Sequence, residues 1–112
     1  MTTTFVQAGD AIDYTPDVDV AAGSVVVAGD LVGVTKKDIK ANELGALAVC
    51  GVFDFPKAKG NATAIPLGTQ VFWDVADEQA KADDEEGANK LIGKTVADAT
   101  DDDELVRVRL NQ

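Results

Sequence analysis

Glycine and proline divide this chain into short segments, and that division limits the folds it can adopt. Ten glycines and three prolines separate runs rich in valine, isoleucine, phenylalanine and threonine. Such runs are typical of β-strands, and none has the sustained periodicity of a long helix. Candidate strands are residues 3–7, 11–15, 24–28, 31–35, 46–55, 70–74, 90–96 and 105–110. We predict an all-β fold with little helix, at most a turn within residues 36–44 or 75–83.

The sequence also contains an internal repeat. LVGVT at residues 31–35 is matched by LIGKT at 91–95, and each is followed by a polar stretch, a Glu-Leu pair and an apolar strand. Upstream, GSVV at 23–26 is matched by GTQV at 68–71. The chain therefore reads as two related β units. Exposed strand edges invite aggregation, so we expect a small barrel or sandwich, or edge pairing within an oligomer.

A length of 112 residues predicts a single β domain over residues 1–112. Residues 1–8 are either an extended N-terminal arm or, over 3–7, the first strand of the domain. A lone cysteine cannot form an internal disulfide, and Cys50 is predicted to be a small buried apolar residue. The sequence shows no signal peptide and no transmembrane stretch, which predicts a soluble protein made in a cytoplasm.

Charge is unevenly distributed along the chain. The net charge of −10 opposes binding to nucleic acid or to an anionic membrane, because both need a cationic surface. Residues 74–104 hold 12 acidic side chains against three lysines, and two clusters stand out, from Asp83 to Glu86 and from Asp101 to Glu104. Neither cluster has the ligand spacing of a calcium loop. We interpret both as solvated loops that lie away from any docking surface.

Several kinds of chemistry are excluded or disfavoured. The chain has no histidine, which excludes Ser/His and Cys/His catalysis and removes the imidazole ligands of zinc. GANKLIGKT at residues 87–95 is similar to a phosphate-binding loop, but five residues separate its glycines and four acidic residues precede it. We predict a strand there. No enzyme, cofactor or metal site is expected; a carboxylate-dependent hydrolase would need two converging carboxylates in a cleft.

Trp73 is the aromatic residue with two open interpretations. Phe72 and Trp73 are adjacent, so in a strand they point to opposite faces. Trp73 is either an exposed anchor for a partner or a residue that covers the end of the core.

Five short motifs occur in a characteristic order: FVQAGD at residues 5–10, GVF at 51–53 with PK at 56–57, GTQVFWD at 68–74, LIG at 91–93 and VRVRL at 106–110. Together they resemble a family of small virion proteins of tailed phages and prophages, over nearly the whole chain. The resemblance implies a capsid decoration, or cement, protein that binds the major capsid protein on the outside of the head, as a homotrimer, and is located in the virion.

Such a role implies partner contacts in place of a catalytic centre. The N-terminal arm offers Thr3, Thr4, Phe5 and Gln7 as interface candidates, because an arm can add a strand to the edge of a neighbour. Trp73 is a further candidate. The alternative function is a glycan-binding or receptor-binding module of a head or tail fibre, suggested by Trp73 and the abundant carboxylates.

Overall fold

A computed structural model describes residues 2–111, so Met1 and Gln112 lie outside the described residues. The chain forms two antiparallel sheets. The first has four strands, in the order β1-β4-β3-β2, and the second has five, in the order β5-β9-β8-β6-β7. The strands are β1 (Ala11–Tyr14), β2 (Val25–Ala28), β3 (Leu31–Thr35), β4 (Gly45–Ala48), β5 (Gly51–Pro56), β6 (Gln70–Asp74), β7 (Gln79–Lys81), β8 (Lys90–Thr95) and β9 (Leu105–Leu110).

The predicted all-β class is confirmed, and the arrangement is sandwich-like. Within residues 2–111, one 3-10 turn at Glu85–Gly87 is the helical element. The sheets are not closed into a barrel. A single parallel bridge between Lys57 and Ala80 brings the two edges of the second sheet together at one end. The core is continuous across both sheets, with Val32 and Val34 packed in one cluster with Phe55 and Val108.

The two predicted β units are confirmed by the topology. Strand order β1-β4-β3-β2 in the first unit corresponds to β5-β9-β8-β6 in the second, strand by strand. The registers correspond too, since Val26 pairs with Gly33 in the first unit and Val71 with Gly93 in the second. The second unit has one additional strand, β7, which has no counterpart in the described part of the first unit.

A repeated set of hydrogen bonds explains why the sequence motifs recur. The buried Thr35 hydroxyl accepts the Ser24 N–H at 3.0 Å and donates to the Ala21 carbonyl at 2.8 Å. In the second unit, the Thr95 hydroxyl accepts the Thr69 N–H at 3.0 Å and donates to the Pro66 carbonyl at 2.6 Å. An aspartate completes each set by accepting a backbone N–H, Asp38 from Ala22 and Asp98 from Leu67.

The second unit also contains a β-bulge that the first unit lacks. Phe72 pairs with Leu91 and Val71 with Gly93, so Ile92 is an extra residue in β8. A bulge shifts the alternation of side chains by one position. Ile92 is therefore fully buried although Lys94, two residues later, is exposed.

Three expectations from the sequence are wrong in detail, and residues 3–7 form no strand. Helix is scarce as predicted: neither 36–44 nor 75–83 contains a helical turn, and the 3-10 turn lies just outside them, at Glu85–Gly87. The run 46–55 is two strands in different sheets, because Gly51, with φ of 130°, redirects the chain. Cys50 is exposed because it lies in this connection between the sheets, where no second layer covers it.

Candidate functional site

The N-terminal arm, residues 2–8, is the most exposed apolar segment of the chain. Phe5 is 84% exposed and Val6 is 85% exposed. Thr3, Thr4 and Gln7 are exposed as well, and the hydrogen bond from Gln7 Nε2 to the Ala11 carbonyl at 3.2 Å is weak. The structure therefore brings four of the five candidate interface residues together on one extended segment, with β-prone side chains free to contact another surface.

The fifth candidate, Trp73, lies elsewhere and is buried. Only 6% of it is exposed, and its ring packs against Phe55 with 6.1 Å between the ring centroids. The indole points inward because the neighbour Phe72 occupies the other face of β6, as the strand alternation requires. Trp73 is thus a core residue, and the interpretation of Trp73 as an exposed anchor for a partner is wrong.

A groove of about 600 Å³ lies along strand β2. Val25, Val26 and Val27 form one side, and Trp73 and Val75 from the second unit form part of the other. Within residues 2–111, β2 pairs with β3 alone, so its other edge is open. The groove therefore combines an apolar lining with unpaired backbone groups, which are the two requirements for accepting an added strand.

The outer face of the second sheet carries a positive charge. Lys94, Arg107 and Arg109 are exposed there, on neighbouring positions of β8 and β9. Asp54 makes a two-point ion pair with Arg107, at 2.9 and 3.2 Å, which lowers the pKa of Asp54. We call Lys94, Arg107 and Arg109 the basic face. The sequence analysis missed it, although the alternation of arginines in β9 was a visible signal.

The two acidic clusters lie at opposite ends of β8, one before Lys90 and one after Thr95. Most of their side chains are exposed, as predicted. Some nevertheless have structural roles: the Asp101 carboxylate accepts the N–H groups of Thr63 and Ala64 at 3.0 and 2.8 Å. The side chains of Glu86, Asp102 and Glu104 make no hydrogen bond or ion pair within residues 2–111.

An ionic cluster around the buried Asp74 organises the turn before β7. The Lys81 ammonium lies 2.7 Å from Asp74 and 2.9 Å from Asp77. Asp74 also accepts the backbone N–H groups of Ala76 and Asp77. These bonds, led by the one from Lys81, lower the pKa of Asp74, and both carboxylates raise the pKa of Lys81. Because its partners are paired within the chain, the cluster stabilises the β6–β7 hairpin.

The carboxylates of the β2 groove do not form a catalytic pair. The β2 groove contains Asp19 and Glu78, but both lie outside strands, and the Asp19 carboxylate accepts the Ala41 N–H at 2.8 Å. Residues 87–95, the segment similar to a phosphate loop, end in strand β8 as predicted. Over residues 2–111 there is no cluster of three metal-ligating side chains, and no helix has the length and apolar character to cross a membrane.

Comparison with known proteins identifies the family. Neither the curated proteins nor the solved structures that were searched contain a match to this chain. The sequence model of the phage cement protein family matches residues 6–110, which is nearly the whole chain. The protein therefore belongs to the phage cement protein family and is a structural component of the virion that decorates the capsid.

Proposed function

We propose that this cement protein binds the outer surface of the phage head as a homotrimer and stabilises the head by bridging adjacent copies of the major capsid protein. The observation that carries the proposal is the match to the phage cement protein family over residues 6–110. The family is structural, and we propose that the chain likewise acts through binding alone, without a catalytic activity, a cofactor, or nucleic acid or membrane as a partner.

We assign the capsid contact to the basic face. The rest of the surface is strongly acidic, since the chain carries 20 acidic and 10 basic residues, whereas this face presents three cations and one carboxylate that is already paired with Arg107. Its complement is an acidic area of the capsid protein. The exposed side chains of Val52 and Leu105 lie on the same face and supply apolar contact area.

The glycan-binding or receptor-binding alternative has lost its main support. It depended on an exposed tryptophan that could stack on a sugar, and Trp73 is packed in the core against Phe55.

Co-sedimentation with heads tests the function. Purified protein is mixed with expanded heads that lack it and with unexpanded heads. We expect saturable binding to the expanded heads. Heads with bound protein should disrupt at a temperature several degrees higher than bare heads. Binding to neither form would overturn the proposal.

A further inference from the structure

The outer edge of β6 in the second unit is paired, whereas the outer edge of the corresponding strand in the first unit, β2, is open in the described part of the chain. In the second unit, β7 pairs with β6 and covers its outer edge, with Trp73 opposite Ala80 and Phe72 opposite Lys81. The corresponding strand of the first unit is β2, and within residues 2–111 nothing pairs with its outer edge. The repeat therefore provides an internal comparison: one unit shows where an added strand fits, and the other lacks that strand.

The groove along β2 is the place that β7 would occupy in the first unit. β7 is bonded to β6 and also reaches β5, through the bridge between Lys57 and Ala80. The groove likewise extends from β2 to Tyr14 at the end of β1, the strand that corresponds to β5. Ala80 of β7 is 2% exposed and contributes to the core. An added strand in the first unit would bury Val25 and Val27 in the same way.

The edge of β2 lacks three of the features that protect edge strands against pairing with another chain. Natural edge strands are often blunted by charged side chains, proline or bulges. Residues 20–29 contain no charged residue and no proline, and β2 pairs with β3 without a bulge. An open edge of this kind in a stable protein calls for a partner strand.

The N-terminal arm has the properties of that partner. Residues 2–9 carry no charge, so pairing them with residues 20–29 brings no like charges together in a chain of net charge −10. Adjacent side chains of a strand point to opposite faces, so one of Phe5 and Val6 faces the groove in either register. Both side chains are more than 80% exposed in the single chain.

Geometry favours pairing between copies over pairing within one chain. The arm precedes β1, and β1 and β2 are the two opposite edges of the first sheet. Crossing three strand spacings takes about 14 Å, or roughly four extended residues, which leaves about four of residues 2–9 to pair with β2 of the same chain. An arm from a neighbouring copy makes no such crossing and can pair along its whole length, and in the single chain Phe5 and Val6 remain exposed.

We infer that the arm of one copy adds as an antiparallel or parallel strand to the open edge of β2 in a neighbouring copy, with Phe5 in the groove because the larger Phe5 side chain buries more apolar surface there than Val6 would. Such a contact joins two different surfaces, so it repeats head to tail, and it gives a ring such as the proposed trimer when the rotation from copy to copy closes. The inference rests on the proposed homotrimer and gives its interface.

Solution mass tests the contact without any capsid. The full chain should have about three times the monomer mass of 11.7 kDa, measured by light scattering, and Phe5→Asp should reduce the mass to that of the monomer. Phe5→Leu is the matched control and should keep the oligomer. A monomeric full chain, or an oligomer that Phe5→Asp leaves intact, would overturn the inference.

Amide hydrogen exchange locates the contact on β2. The two-residue hairpin between β2 and β3 closes at the pair Ala28–Leu31, so alternation directs the N–H groups of Val26 and Ala28 to β3 and those of Val25 and Val27 to the open edge. Val25 and Val27 should be protected in the full chain and exchange faster in Phe5→Asp. Val26 and Ala28 are the internal controls and should be protected in both.

The two outcomes of head binding separate this inference from the proposed function. A ring in solution that does not sediment with heads would refute the function alone. A monomer that binds heads would refute the inference alone. If Val25 and Val27 became protected only in the presence of heads, the capsid would be the partner of β2, and the inference would be wrong.

Discussion

At the residue scale, one threonine in each unit ties its strand to the loop of residues 21–24 or 66–69. Replacing Thr35 or Thr95 with valine keeps the shape but leaves the N–H of Ser24 or Thr69 without its acceptor. An unsatisfied polar group of this kind costs about 1–3 kcal/mol. We expect Thr35→Val and Thr95→Val to lower the free energy of unfolding in urea by similar amounts.

Serine provides the control for this prediction. Thr35→Ser keeps the hydroxyl and loses only a methyl group, about 1 kcal/mol, so it should be less destabilising than Thr35→Val. If serine and valine proved equivalent, the hydroxyl would not be the stabilising group.

Asp74 makes part of the stability dependent on pH. Its pKa is lowered in the folded chain, first by the hydrogen bond from Lys81. A lowered pKa contributes stability above the ordinary carboxyl pKa of about 4, and that contribution is lost as the pH falls through the folded value. Asp74→Asn should therefore be less stable than the parent chain at pH 7, and the difference should shrink below about pH 4.

Chemical denaturation at a series of pH values measures this difference. Lys81→Met removes the main cause of the lowered pKa and should weaken the same pH dependence. A constant difference between Asp74→Asn and the parent chain from pH 7 to pH 3 would show that the ion pair does not stabilise the hairpin.

Residue roles were predicted unevenly from the sequence. The LVGVT and LIGKT repeat contains both threonines and showed that the two units are related, but it did not predict their hydrogen bonds, because the partners of Thr95 lie 26 and 29 positions away. Trp73 and Cys50 had to be judged from their immediate neighbours. Their burial depends on which strand or connection packs over them, and that is decided by segments distant in sequence.

At the element scale, the glycine of each repeat lies where two strands approach closely. A Cβ on Gly93 would collide with the backbone carbonyl of Arg109 in β9, whereas a Cβ on Gly33 would mainly meet the side chain of Leu47. Backbone cannot move aside as a side chain can. Gly93→Ala should therefore cost on the order of 3–5 kcal/mol, and Gly33→Ala less, about 1–3 kcal/mol.

Thermal or urea unfolding of these variants tests the difference. Gly9→Ala is the control, because a Cβ at Gly9 meets nothing within 4 Å, and it should leave stability unchanged. An equal loss in Gly93→Ala and Gly33→Ala would mean that β8 and β9 can separate at little cost.

Six of the nine strands each have their own counterpart among the predicted runs, and the three exceptions have physical causes. β4 and β5 were merged because the residues between them, Val49 and Cys50, are apolar, and only the positive φ of Gly51 separates the strands. β7 was missed because QAK has little β propensity. Its pairing with β6 is held by the hairpin turn and by the Lys81–Asp74 ion pair, a contact between two strands.

At the scale of the whole molecule, shape and charge separate the surfaces. The radius of gyration is 14.9 Å, larger than the roughly 13 Å of a compact chain of this length, in keeping with an arm that extends from the body. The acidic clusters lie at the two ends of β8, and the basic face lies on the outer side of the same sheet.

Charge variants test which surface meets the capsid. The triple variant Glu86→Gln, Asp102→Asn, Glu104→Gln removes three charges that have no structural partner, so it should reduce solubility and leave head binding intact. Lys94→Gln with Arg109→Gln should weaken head binding roughly 10-fold, about 1.4 kcal/mol, with less effect at high salt. The measurement is co-sedimentation over a range of protein concentrations.

Both variants retain the ion pair between Asp54 and Arg107. A change in head binding therefore cannot be caused by an Asp54 carboxylate that has lost its partner. If the acidic triple variant lost head binding and the basic double variant kept it, the assignment of faces would be reversed.

The duplicated fold permits a division of labour between the two units. Each unit holds its own strands together with its own threonine-centred bonds, so the surface of one can diverge without weakening the other. The second unit has β7, a bulge and a cationic outer face, whereas the first has an open edge. Substitutions that test the proposed self-association and those that test attachment to the head therefore fall in different units.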